Sequence, residues 1–354
     1  MGINVYKNLN INGTICDIVS ENGVISEIGK VTQDGIDCKG KKAFAGLIDI
    51  HTHGMGGVDT NDATLNKLSY LQAKNGTTSF LPTTTTISRD DIIKVLTSEL
   101  PKNGANVLGY HLEGPYINKK FIGAQNPDHA RNPDINEFKG FNNIKMITLA
   151  PELEGAIDYI KKTDAIVVLG HTSADYETTK NAAKAGAKCL THTFNAMPPI
   201  HHREPGPVGA ALDMGIYAEA ICDGVHLHPS IVRMLYRTFG KERMIMISDT
   251  VSGAGLPDGE FFAGNRRRII KDHIIRNEAG NLAGSWCHLF EDVRRTVKMG
   301  IPREDVYYMA STTPAEYMGL NKGKIAVGYD ADFIVVTEND DLVKTVIAGE
   351  IFTA

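Results

Sequence analysis

The sequence predicts an α/β chain, a (β/α)8 TIM-type barrel with a small β-sandwich domain built from both chain termini. Three observations point there. Between residues 45 and 249, eight short apolar runs recur, most with a helix-like segment between them. Near-continuous apolar runs of that length are the pattern of strands buried on both faces of a parallel sheet. The two ends of the chain read differently, as short apolar stretches broken by turn residues. Third, many of the runs finish on a histidine or an acid, which gathers polar groups at one end of the predicted barrel.

In chain order, residues 3 to 44 carry two Asn-Gly pairs, Asn12-Gly13 and Asn22-Gly23, between the apolar stretches around Ile11, Ile15 and Ile18 and around Val24, Ile25 and Ile28. Asn-Gly in that setting signals a hairpin. The segments KIAVGYDADFIVV and VKTVIAGEIFT near the other end have the same character. Residues 1–44 and 323–354 are therefore expected to form one small β-domain, flanking a barrel of residues 45–322. Its strands are expected at 45–52, 77–83, 106–113, 144–150, 165–171, 188–193, 216–222 and 243–249. Helices are expected at 62–74, 90–99, 153–162, 174–186 and 229–240, several ending at Gly signals such as Asn75-Gly76 and Ala185-Gly186. After Asp249 a Gly/Pro-rich stretch precedes a hairpin-like insert near 268–282, and helices at 285–299 and 303–318 complete the barrel region. A doubly wound sheet is the alternative, but no Gly-rich phosphate fingerprint follows the first strand.

Composition fits a soluble globular chain: of 354 residues, 42% are apolar and 22% charged, with a net charge of -5. That mild charge gives no reason to expect nucleic acid or an anionic membrane as partner. No apolar stretch has membrane-span length, and the first residues show neither a basic leader nor a signal core. Cys16, Cys38, Cys189, Cys222 and Cys287 are odd in number and form no CxxC pair. Free thiols in a reducing cytoplasm are expected.

The chemistry-bearing residues lie at strand ends. His51 and His53 (GLIDIHTH) stand two apart, so both point to one face and form a natural metal pair. Glu113 ends VLGYHLE and, at that depth, needs a cation or a hydrogen-bond network to stay charged. His171 and His192 each end an apolar run and, with Glu113, leave positions open for water, as catalytic zinc sites do. Asp249 suits proton transfer, or N-capping of the following turn. His226 suits substrate contact, whereas His228 beside Pro229 reads as a surface or cap residue. His201, His202 and Arg203 form a cationic cluster in a Pro-rich loop, which either stiffens a surface or holds an anion.

The motifs HLEGPY, GHT, THTFNAM, HHREPG, DGVH, SDT and LAGS, in this order, resemble the N-acetylglucosamine-6-phosphate deacetylases of the amidohydrolase superfamily over nearly the whole chain. The resemblance implies Glu113, His171 and His192 as holders of a principal divalent metal. It implies His51 and His53 for a second ion bridged by Glu113, so one or two ions per subunit. Zinc is expected, with iron, manganese and cobalt as alternatives. Asp249 would be the acid/base residue. His226 and Arg203 would contact the sugar phosphate, the arginine coming from a neighbouring subunit of a homodimer. Ala124, Asn195, Ala196, Ala283, Gly284 and Ser285 would line the sugar pocket, and His226 would polarise the reacting carbonyl. Trp286-Cys287-His288 departs from the family pattern after Ser285. The implied substrate is a phosphorylated N-acetylated amino sugar, its C4 epimer left open between gluco and galacto. A cyclic amidase or deaminase is the competing enzyme, although such amidases bridge their metals with a modified lysine, and a non-catalytic barrel is the competing non-enzyme.

Overall fold

The computed structural model describes residues 2–263 and 266–353. Eight parallel strands run in sequence around a barrel: Leu47–Thr52, Thr77–Thr84, Tyr110–Glu113, Ile144–Leu149, Ile166–Leu169, Cys189–Leu190, Tyr217–Ile221 and Met244–Ile247. Each hydrogen-bonds to the next. The backbone beyond the eighth strand returns to the first, where the Asp249 N–H donates to the His51 carbonyl (2.9 Å) and the His53 N–H to the Thr250 carbonyl (2.7 Å). All eight expected strands are present. The third is split, with Asn106–Val107 pairing only to the second strand before Tyr110–Glu113 continues the barrel.

The strand sequences explain the layering. Ile48, Leu81, Met146, Val168, Cys189 and Ile245 form an apolar cluster, closed by Ala315 and Tyr317. Outward residues such as Leu47, Phe80, Leu112, Ile147 and Leu190 pack against the helices in the larger core. Nearer the strands' C-terminal ends the buried side chains become polar. There His111 bonds to Thr148 (2.8 Å), Thr148 to Thr191 (3.0 Å), and the Ser248 hydroxyl donates to Asp49 (2.5 Å). Buried polar groups are tolerable only when so paired.

The helices follow their caps. Pro229–Phe239 opens on a proline, takes a cap from His228 and stops at Gly240. Leu289–Lys298 begins later than the expected 285, because His288 caps it by accepting from the Glu291 N–H. The expected 303–318 helix is two, Arg303–Ala310 and Thr312–Met318, broken at Ser311 just before Pro314, whose missing N–H cannot continue the ladder. A helix at Gly206–Met214, which the Pro-rich sequence concealed, starts beside Pro205 and Pro207, where absent N–H groups cost nothing. The insert is a three-stranded antiparallel sheet, Gly259–Ala263, Arg266–Lys271 and Ile274–Asn277, so it starts earlier than expected.

The two chain ends build a separate eight-stranded sheet. Ile3–Ile11, Thr14–Glu21 and Val24–Gly29 form hairpins turned at Asn12-Gly13 and Asn22-Gly23, where all four residues have positive φ. Lys42–Ala45 then pairs antiparallel with Phe333–Val336, which leads on to Leu342–Ile347 and Glu350–Ile351. Tyr6, Leu9, Ile18, Ile25, Phe333 and Val335 fill its core.

Candidate metal centre and active-site pocket

Six of the expected site residues converge at the C-terminal ends of the strands. His51 and Glu113 lie on the first and third strands, and His53 follows the first. His171, His192 and Asp249 each sit two residues past a strand end, with φ of 47°, 27° and 49°. Left-handed backbone at non-glycine residues costs of order 1–3 kcal/mol each and persists only where surrounding structure enforces it. Here it redirects three side chains to one point. They form two ligand groups, His51, His53 and Asp249, and Glu113, His171 and His192, with candidate atoms in each group within 4.8 Å of one another.

The hydrogen bonds behind the imidazoles decide which nitrogen faces the centre. His51 Nδ1 bonds to Glu219 (3.1 Å), His53 Nδ1 to the Thr83 carbonyl (3.0 Å) and His171 Nδ1 to the Phe121 carbonyl (2.9 Å). Each therefore donates from Nδ1 and turns its Nε2 lone pair inward, the second-sphere pattern that orients metal-ligating histidines. The inward atoms are close. His192 Nε2 lies 2.8 Å and His171 Nε2 3.1 Å from Glu113 Oε1, and the two nitrogens are 3.1 Å apart. His53 Nε2 lies 3.3 Å from Glu113 and 3.2 Å from Asp249, and His51 Nε2 3.4 Å and 3.6 Å from the same two acids.

These distances suit a cation. Ligand atoms about 2.1 Å from a tetrahedral ion stand roughly 3.4 Å apart. The buried His51 Nε2 has no hydrogen-bond partner, and the donor set of imidazoles and carboxylates is one that zinc and its neighbours take. The residues present fit a divalent metal.

The electrostatics agree. Burial opposes charge on His53, but Asp249 and Glu113 outweigh it and lift its pKa to about 10. His51 is raised too, against burial, chiefly by Glu113. Burial would raise Glu113, yet the surrounding histidines hold it well below the ordinary carboxylate range, and Asp249 is lowered by His53 and His51 against burial. The centre calls for compensating positive charge. His111, beside His51, is instead kept neutral by burial and bonds to Ile50 and Thr148.

A cavity of about 480 Å³ opens over this centre, within the range of small-molecule sites. Ala124, Asn195, Ala196, His226, Ala283 and Gly284 line it, together with His53, Glu113, His171, His192 and Asp249. Asp223 orients His226 by bonding to its Nδ1 (2.8 Å) and accepting its backbone N–H (2.8 Å). Burial disfavours charge on His226, but Asp223 raises its pKa. One expected lining residue stands elsewhere. Ser285 is buried behind the wall, donating to Asp223 (3.2 Å). Arg203 is exposed outside the cavity, beside His202. Trp286 explains the departure from the family pattern, since it stacks on His273 of the insert and donates to the Leu256 carbonyl (2.8 Å).

Several residues of the site were not anticipated. Glu219 holds His51, and its only sequence signal is a charge inside the apolar run YAEAI. Gln125 donates to Glu113 and accepts from the Thr86 N–H (2.6 Å). Arg266 and Arg268 reach the cavity from the insert. No sequence period marks these last three.

Residues 43–352 match the model of the Amidohydrolase family. The chain is 36% identical to the N-acetylglucosamine-6-phosphate deacetylase of Vibrio furnissii over 94% of its own length and 89% of that protein's. It is 36% identical to the enzyme of that name from Bacillus subtilis (strain 168), over 86% and 83% of the two chains. The crystal structure of N-acetylglucosamine-6-phosphate deacetylase from Pasteurella multocida superposes with a TM-score of 0.92 at 29% identity, covering 99% of this chain and 100% of that one. Barrel, strand-end ligands and matched sequence agree: the chain belongs to the amidohydrolase family.

Proposed function

We propose that this chain hydrolyses the acetamide of N-acetylglucosamine 6-phosphate, giving glucosamine 6-phosphate and acetate. The observation that carries the reading is the set of imidazoles whose Nδ1 atoms are tied back, presenting Nε2 to Glu113 and Asp249 beneath a sugar-sized cavity. In this reading Glu113, His171 and His192 would hold one divalent ion, and His51 and His53, together with Glu113, would hold a second. Zinc is the first choice, with iron, manganese or cobalt as alternatives. Such an ion supplies Lewis acidity and a nucleophile ionised at neutral pH.

The protein's own groups do the rest. Asp249, fixed by its backbone bond to His51, takes a proton from the nucleophile and returns it to the departing amine. His226, aimed by Asp223, donates toward the carbonyl oxygen as negative charge develops there. Ala124, Asn195, Ala196, Ala283 and Gly284 hold the sugar ring, with Ser285 supporting them through Asp223. Arg203 lies outside this chain's cavity, consistent with its serving the phosphate of a neighbouring subunit's substrate in a homodimer. Residues 1–44 and 323–354 act as a small β-domain beside a catalytic barrel of 45–322. Among the described residues no helix is long and apolar enough to cross a membrane. All five cysteines are unpaired and buried, which supports a cytoplasmic setting.

Asp249→Asn tests the assignment. Turnover should fall at least 100-fold, in line with removal of a general acid–base group, while metal content by elemental analysis stays near that of the parent. Loss of metal would make Asp249 chiefly a ligand. Assaying the gluco and galacto phosphosugars side by side settles the epimer, and ring opening without acetate release would favour a cyclic amidase instead.

A further inference from the structure

The middle strand of the insert, Arg266–Lys271, begins with three arginines. Strand alternation separates them. Arg267 points away from the cavity and pairs with Glu260, while Arg266 and Arg268 face the cavity over the metal-ligand cluster. Arg266 donates from Nη1 to the Gln125 carbonyl (2.9 Å) and from Nη2 to Asn126 Oδ1 (3.0 Å). Arg268 donates from Nη2 to the Ala124 carbonyl (3.1 Å) and from Nη1 to the Arg267 carbonyl (3.3 Å). All four acceptors are neutral.

Among the described residues, neither guanidinium has a carboxylate within ion-pair distance, whereas Arg267 between them pairs with Glu260. Arg268 is only 8% exposed. Burial and the neighbouring charge of Arg266 depress its pKa, and Asp59 and Glu278 offset this in part from beyond ion-pair reach. Buried positive charge without a counter-charge is costly, and the half-buried guanidinium of Arg266 beside Arg268 adds to that cost. Each keeps N–H donors free, and the planar fork of arginine matches phosphate oxygens.

We propose that Arg266 and Arg268 form an anion-binding wall, supplied by the chain itself, that receives the phosphate of the amino-sugar substrate. This rests on the deacetylase reading above and adds to it a cis contribution to phosphate recognition. Two guanidiniums match the dianion, and their anchoring to Ala124, Gln125 and Asn126 ties the insert to the loop that also reaches Glu113 through Gln125. Phosphate binding thereby orders the cavity rim next to the reacting centre.

Arg266→Ala and Arg268→Lys, each checked for unchanged metal content, are compared with the parent on N-acetylglucosamine 6-phosphate and on N-acetylglucosamine. Arg266→Ala should raise KM for the phosphorylated sugar about tenfold, the loss of one charge-assisted contact, with kcat nearly constant and the unphosphorylated sugar unaffected. Arg268→Lys retains the charge in the buried position and should show a smaller rise in the same direction. An unchanged KM, or an equal loss on both sugars, overturns the proposal; the latter would place the arginines in service of the fold or of the acetyl end. Orthophosphate titration by calorimetry gives a second arm independent of turnover. Binding to the parent that Arg266→Ala weakens supports the wall, and equal or absent binding in both overturns it. If the parent releases no acetate from either sugar, the deacetylase reading has failed, and the orthophosphate arm still decides the wall.

Discussion

Replacing Glu219 with glutamine isolates one hydrogen bond behind the metal centre. The Glu219 carboxylate is fully buried and accepts from His51 Nδ1 (3.1 Å) and from the His192 N–H (3.2 Å), so it holds a member of each ligand group. Glutamine keeps the volume and one acceptor oxygen but removes the charge that makes the imidazole more basic. Loss of such a partner weakens metal affinity by about 10- to 100-fold, or about 1.4 to 2.8 kcal/mol. The effect should concentrate in the His51, His53 and Asp249 group, because His192 keeps its own side-chain contact to Glu113. The other oxygen, Oε1, is buried without a partner, so removing the charge also relieves a desolvation cost in the metal-free protein. Two readouts therefore move in opposite directions. Metal per subunit, measured by elemental analysis after equilibration in metal buffers, should fall toward a single ion at concentrations that saturate both sites in the parent. The melting temperature in chelator should hold or rise. Superimposable metal-loading curves would refute the orienting role, and a drop of several degrees in the metal-free melt would show that Glu219 is needed for the fold itself.

Other outcomes follow from separate features. Exhaustive dialysis against a chelator should abolish acetate release, and readdition of a divalent ion should restore it; activity that survives verified metal removal would rule out the proposed centre. His288, whose pKa burial lowers to about 4, should make the protein less stable in acid. Its native pKa lies below the unfolded value near 6.5, so stability is intact above that value and is lost as pH falls toward 4, by about 2 kcal/mol at pH 5. His288→Asn keeps an N-cap but does not titrate, and should flatten the difference between melts at pH 7.5 and pH 5. Phe333→Ala removes a fully buried ring packed edge-on against Tyr6 (5.0 Å) and should cost about 3 to 5 kcal/mol, measured by denaturant unfolding. A cost under about 1 kcal/mol would mean that the terminal sheet collapses around the gap.

The barrel was legible because its strands are buried on both faces, which leaves uninterrupted apolar runs such as MIMI and IVVL. The ligands were legible for a related reason. An imidazole or carboxylate at the end of such a run has no solvent to satisfy it, so its presence at His171, His192 or Asp249 calls for a partner. Glu219 belonged to the same logic but lies inside a run, where the eye reads strand before chemistry. Gln125, Arg266 and Arg268 were beyond reach, since their approach to the cavity depends on how a long loop and an insert fold over the barrel. The Gly206–Met214 helix was hidden by prolines that mark its start. The single helix expected at 303–318 divides because Pro314 withholds one donor.

The pairing of Lys42–Ala45 with Phe333–Val336 has a bearing on how the molecule is made. The first three strands can pair with one another at once, but Lys42–Ala45 lacks the neighbour on its other edge until nearly the whole chain has left the ribosome, long after the barrel between them could have closed. During that interval Lys42–Ala45 offers bare backbone groups to any passing strand, a hazard for aggregation during synthesis. A circular permutant that joins the two ends through a short linker, and opens the chain in an exposed barrel loop, would bring both halves of this sheet off the ribosome together and should improve the yield of folded protein at elevated temperature.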